Sequence, residues 1–141
     1  MLYNIYSIII GALIGLMTSL NGILSTYTGN YISSVLIHFV GLIGVVAILI
    51  FTKTKLTFDK TLPLTLYSAG VIGVFTVLFN NYTFVPIGAS LTMALGLLGQ
   101  TLSSIIIDNF GLLGVKVNKF NKKKIIGLVI ISIGIIIMTI Y

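Results

Sequence analysis

Every lysine of this 141-residue chain, and one of its two aspartates, falls within residues 53–60 or 116–124, and there is no arginine or glutamate. What lies outside those two stretches is a series of apolar runs, each about as long as the ~20 residues a helix needs to cross a bilayer. Charged residues make up 7% of the chain against roughly 25% in an ordinary soluble domain. The mean hydropathy is +1.20. The chain is therefore expected to be an all-α membrane protein, a single integral domain over residues 1–141 with five transmembrane helices at about 5–24, 31–51, 64–84, 88–108 and 125–141.

Where the lysines lie predicts how the chain inserts. The connections after the second and fourth spans hold Lys53, Lys55 and Lys60, and Lys116, Lys119, Lys122, Lys123 and Lys124, while those after the first and third hold none. Under the positive-inside rule the lysine loops face the cytoplasm, so the N-terminus is inside and, five being odd, the C-terminus outside. The first run lacks a basic leader and a small-residue cleavage site and is expected to be retained. No cysteine is present, and one histidine with two aspartates is too few for a protein-made metal site. No cofactor is expected. Paired carboxylates, a nucleophile with its base and a phosphate-binding glycine loop are all missing, so an enzyme has no residues to stand on.

Within the spans the polar residues are few and spaced. Gly11, Gly15 and Ser19 follow the small-xxx-small pattern that lets helix backbones approach in lipid. Asn21-Gly22 then interrupts the apolar run, as a turn or a local helix break. Residues 25–30, STYTGN, read as a short uncharged loop. His38 lies in the second span with Ser34 one turn before it, and Pro63 stands where the third helix begins. Gly73, Thr76 and Asn80 share one face of that helix, with Asn81 adjacent. Val85-Pro86-Ile87-Gly88 marks its end, because the residue before a proline avoids the helical region. In the fourth span Gln100, Ser103, Ser104 and Asp108 fall along one flank, continued by Thr92, Gly96 and Gly99. A glutamine or aspartate facing lipid is costly, so this flank is expected to face other helices or a water-filled cavity.

The runs GALIGLMTSLNGIL, IGASLTMALGLLGQTLSSIIIDNFGLLG and KKIIGLVIISIG resemble the YdcZ-like family, a five-helix branch of the drug/metabolite transporter superfamily. The most specific parts are Asn21-Gly22, Gly99-Gln100 and Asp108-Asn109-Phe110-Gly111. The resemblance implies one half of an inverted-repeat transporter, completed by pairing with a second five-helix chain, with the solute site near the midplane between the halves. It implies export of a small organic solute. The eight-to-zero lysine bias favours an inverted paralogue over a self-inverted copy as partner, a parallel homodimer being the other arrangement. Related four-helix exporters carry a glutamate in the first helix for proton coupling, and this first helix has no acid.

The candidate cavity residues are Asn21, His38, Asn80, Gln100, Ser103 and Ser104, with Asp108 as a candidate gate or coupling group. For each a plainer role stands beside the functional one. Gln100 either binds solute or makes an interhelical hydrogen bond worth about 0.6 kcal/mol. Asp108 is a gate or pairs with a lysine of the following loop. His38 couples protons or only packs. The loop lysines set topology or also bind anionic lipid. A non-transporting subunit that scaffolds another membrane protein is the competing class, and no nucleic-acid partner is expected. Single cysteines at Thr28 and Asn121 of this cysteine-free chain test the orientation. A membrane-impermeant thiol reagent applied to intact cells should label Thr28→Cys and leave Asn121→Cys unlabelled, and labelling of both would show dual insertion.

Overall fold

A computed structural model describes residues 2–57, 59, 61–119 and 123–140, without the Lys123 side chain. Every long element is helical: α1 (Leu2–Thr28), α2 (Asn30–Thr52), α3 (Leu64–Tyr67), α4 (Ala69–Phe110) and α5 (Lys123–Ile140), with a 3₁₀ turn at Leu112–Gly114. No strand occurs among the described residues. Three apolar helical stretches, Leu2–Thr28, Asn30–Thr52 and Leu64–Phe110, are long enough to cross a membrane, and Lys124–Ile140 is a shorter apolar helix. The chain divides into two compact bodies, one ending at Pro86 and one beginning at Ile87.

The first body is built inside out relative to a soluble protein. No apolar side chain is buried among the described residues, whereas Thr18, Ser25, Ser33, Ser34 and Asn81 are. Leucine, isoleucine, valine and phenylalanine side chains cover the outside instead. Lipid tails are as apolar as leucine, so burying leucine gains nothing there, and contacts form where small residues let backbones come close. The buried stripe of α1 is Thr18, Gly22 and Ser25, and it belongs to the helix that packs on α2. The Phe84 ring of α4 occupies the space that a Cβ on residue 22 would need. Several hydroxyls elsewhere in the helices are satisfied by their own backbone: Ser7, Thr26, Thr52, Thr76 and Thr139 all donate to carbonyls three or four residues earlier.

One residue separates α1 from α2. Gly29 has φ 81° and ψ 158°, a region essentially closed to residues with a Cβ. Its N–H still bonds Ser25 O at 2.9 Å, and its carbonyl accepts the Ser33 N–H at 3.0 Å. At the other end, α2 stops at Lys53 in a left-handed conformation, whose N–H bonds Ile50 O. In the connection that follows, Asp59 Oδ1 accepts from the Thr61 hydroxyl at 2.6 Å and the Thr61 N–H at 2.9 Å. Those bonds hold the Asp59 carboxyl below its ordinary pKa. Pro63 then caps the single turn of α3.

The second body holds the later half of α4, the 3₁₀ turn and α5. Gly111, at φ 62°, ends α4 in the left-handed conformation of a glycine C-terminal cap, and the Val117 side chain fills the space beside its Cα. The Asn118 N–H returns to Asp108 O at 2.8 Å, folding the segment after α4 back on the helix end.

Several boundaries differ from those expected. Residues 25–30 are not a loop, because α1 runs to Thr28 and α2 begins at Asn30. Asn21-Gly22 breaks nothing, since α1 continues through it, and the glycine serves close approach to Phe84 instead. Gly11 has open space around it, while Gly15 and Ser19 are half-buried and the tightest contact of α1 is at Gly22. The third and fourth spans meet without a loop: the helical stretch Ala69–Phe110 is two helices joined at a kink at Gly88, within the expected break at Val85-Pro86-Ile87-Gly88. Lys60, Asn121, Lys122 and Tyr141 lie outside the described residues.

The Gly22 contact predicts a double-mutant outcome. Gly22→Val should destabilise the folded chain by about 1–3 kcal/mol, the range for overpacking a close contact. Phe84→Ala in the same chain should return part of that loss. Thermal unfolding in detergent, followed by circular dichroism, measures both, and equal, additive losses would place the contact elsewhere.

Candidate functional site

The most organised polar cluster of the first body lies where α1 ends, α2 begins and the first half of α4 finishes. Ser25, Asn30, Asn81, Tyr82, Val85 and Pro86 line a partly open cavity of about 340 Å³. It is at the opposite end of α2 from Lys53. Local chemistry sets each wall. Ser25 Oγ donates to Gly22 O at 2.7 Å, leaving its lone pairs available. Pro86 has no N–H, so the helical bond that residue 86 would give to Tyr82 O is missing. Two residues later Gly88 takes φ 74° and ψ 177°, again a conformation for glycine alone.

Two asparagines are locked behind this cavity. Asn30 Nδ2 donates to Leu78 O at 3.1 Å, and Asn81 Nδ2 donates to Ser33 Oγ at 3.2 Å. Leu78 O can only accept, and the Ser33 hydroxyl hydrogen is already engaged with Asn30 O at 2.9 Å. Both amides are therefore oriented nitrogen-first, which settles the usual ambiguity of amide assignment. Their oxygens, Asn30 Oδ1 and Asn81 Oδ1, are shielded from solvent and have no hydrogen-bond partner. Asn81 is 1% exposed. Each orphaned buried acceptor costs about 1–3 kcal/mol, a price normally avoided.

The residues singled out from sequence fall elsewhere. Asn21 and Asn80 are half-buried near this region but do not line the cavity. His38 is half-buried, about two turns into α2, and its Nδ1 lies 2.7 Å from Ser34 O. A carbonyl only accepts, so Nδ1 carries the hydrogen of that bond. In the second body Gln100, Ser103 and Ser104 are exposed, and no hydrogen bond to their side chains occurs among the described residues. Asp108 Oδ2 pairs with Lys124 Nζ at 3.6 Å, both side chains being partly exposed. The pair matches the plainer of the two roles expected of Asp108, and at that exposure it adds little stability. No cluster of metal-ligating side chains occurs among the described residues.

Asn30 and Asn81 were missed because each was adjacent to something more conspicuous. Asn30 closed an apparent loop, and Asn81 followed the residue that continued the Gly73, Thr76 face. Their signal was present in kind: amides at the ends of apolar spans, on helices whose glycines permit close approach.

Residues 2–137 match the family described as "Putative inner membrane exporter, YdcZ", with the label DMT_YdcZ. No curated protein and no solved structure matches the chain. The family is one of exporters and not of enzymes, and its inner-membrane setting agrees with the apolar helices. With all but the first residue and the last four matched, and with polar groups gathered inside an apolar exterior, the chain belongs to the YdcZ family of inner membrane exporters.

Proposed function

We propose that the chain is a half-transporter that pairs with a second five-helix chain and moves a small organic solute outward by alternating access. The observation that carries this is the flank of Gln100, Ser103 and Ser104, exposed on an otherwise apolar helix. In lipid such a flank is unfavourable, so it needs a covering surface or a wet cavity, and a second subunit supplies both. Helix lengths are compatible with five spans. The 42 residues of α4 would extend ~63 Å at 1.5 Å per residue. That is twice the ~30 Å hydrocarbon thickness of a bilayer. Division at Gly88 gives two spans, before and after the glycine. The 18 residues of α5 reach ~27 Å, and lysines at its start can extend to the interface.

Inverted halves place the solute path between them, with Gln100, Ser103 and Ser104 facing it and Asn21, His38 and Asn80 contributing from neighbouring helices. Asp108 and Lys124 then stand at the cytoplasmic end, where an ion pair can open and close with the path. The lysine bias makes an oppositely charged paralogue the better partner, with the N-terminus of this chain inside. Anionic lipid at the cytoplasmic surface would hold the lysine loops.

Gln100→Ala and Ser104→Ala separate transport from scaffolding. Exchange of a panel of small alcohols, amides and amines by liposomes holding the paired chain should fall at least tenfold, while the pair persists in native mass spectrometry. Loss of the pair with unchanged exchange per assembled complex would make the flank an adhesive surface.

A further inference from the structure

Among the residues lining the cavity at the α1–α2 junction, the polar atoms left without a partner are acceptors, two of them shielded behind its wall. Asn30 Oδ1 and Asn81 Oδ1 are unpartnered, Ser25 Oγ has used its hydrogen on Gly22 O, and Tyr82 O lacks the helical bond that Pro86 cannot make. An array of this kind is matched by hydrogen-bond donors. No lining residue is charged, and both carboxylates of the chain lie outside it, at Asp59 and Asp108. A buried cation would have no counter-charge there, and an anion would meet only lone pairs. Val85, Pro86 and the Tyr82 ring supply an apolar wall. The volume of about 340 Å³ falls in the ~300–1,000 Å³ range of small-molecule pockets.

We propose that this cavity binds a small neutral solute bearing hydroxyl or amide N–H donors on an apolar body, with Asn30 Oδ1 and Asn81 Oδ1 as the accepting groups. The inference deepens the transport reading, naming a solute class and a site at the end of the bundle away from the lysine loops, and it rests on that reading only for what happens after binding. The two oxygens are shielded when the cavity is empty, so a wall moves as the solute enters. Gly29 directly precedes Asn30, and Gly88 follows Pro86 by two residues. Both interrupt helices in a glycine-only conformation, and such element-terminal positions are where φ and ψ change when a hinge turns.

Three ligands of similar shape test the recognition: phenylacetamide, with a neutral donor head; phenylacetate, with none; and benzylammonium, with a cationic one. Each is titrated to millimolar concentration against the full chain in lipid nanodiscs, with binding read by saturation-transfer NMR and by thermal shift. Phenylacetamide should bind at least tenfold more tightly than the other two. Asn81→Leu should weaken it tenfold or more, and Asn30→Ser should weaken it as well, with circular dichroism confirming that the helices persist. Because Asn30→Ser disturbs only a half-buried position, it keeps the test decisive where Asn81→Leu does not fold. No saturable binding of phenylacetamide, equal or tighter binding of phenylacetate or benzylammonium, or unchanged affinity in a folded variant overturns the proposal. Displacement by lipid alone, with no preference among the three, would assign the cavity to an acyl chain and overturn it too. These readouts need no partner chain and no transport, so the site can fail while paired transport stands, and the reverse.

Discussion

Inside a bilayer every polar group must find its partner within the protein, and the arrangement of this chain depends on that requirement. Water is absent as an alternative acceptor, and hydrophobic burial between helices supplies little driving force. The consequence is visible along α1, where Thr18, Gly22 and Ser25 form the buried stripe and the leucines and isoleucines face outward. Most hydroxyls return to their own helix, donating to carbonyls three or four residues back. Against that background the unpartnered oxygens of Asn30 and Asn81 stand out. The same helices that satisfy nearly every threonine leave two amides half satisfied, and in one small region.

The region is also where the backbone departs most from helix. Gly29 and Gly88 share a conformation that a Cβ would forbid, and each sits beside a lining residue of the cavity or within two residues of one. A loop of ordinary length would have joined α1 to α2 without such a residue. A single glycine keeps Ser25 and Asn30 close in sequence and space, with hydrogen bonds running into and out of the joint. The tightness that brings the polar groups together is thus produced by the residue that can most easily change its dihedral angles.

Much of this was legible in the sequence, for reasons that differ by element. The all-helical membrane class followed from lysines confined to two stretches with long apolar runs outside them, which no packing arrangement can disguise. The break at Val85–Gly88 followed from proline sterics, whereas the sequence left Asp108 as either a gate or the partner of a lysine, and the lysine beside it is Lys124 on α5. What could not be read was which polar residues would face inward. Asn80 and Asn81 are one residue apart, about 100° around a helix, and only the packing of α4 against α2 decides that Asn81 meets Ser33. Gly22 misled in the same way. An Asn-Gly step has the sequence of a turn, and the Phe84 ring that explains the glycine is distant in the chain.

The lysine distribution and the position of the cavity bear on each other. All eight lysines belong to the two loops read as cytoplasmic, and the cavity lies at the opposite end of α2 from Lys53. A chain inserted in this single orientation places its cavity toward the outer face. Pairing with an inverted chain of the same architecture places a second such cavity toward the inner face, built from the partner's own helix ends. In a parallel homodimer both cavities face outward and nothing equivalent serves the inner side. Of the two pairings weighed for the proposed transporter, the inverted one alone would set such a cavity on each side of the membrane.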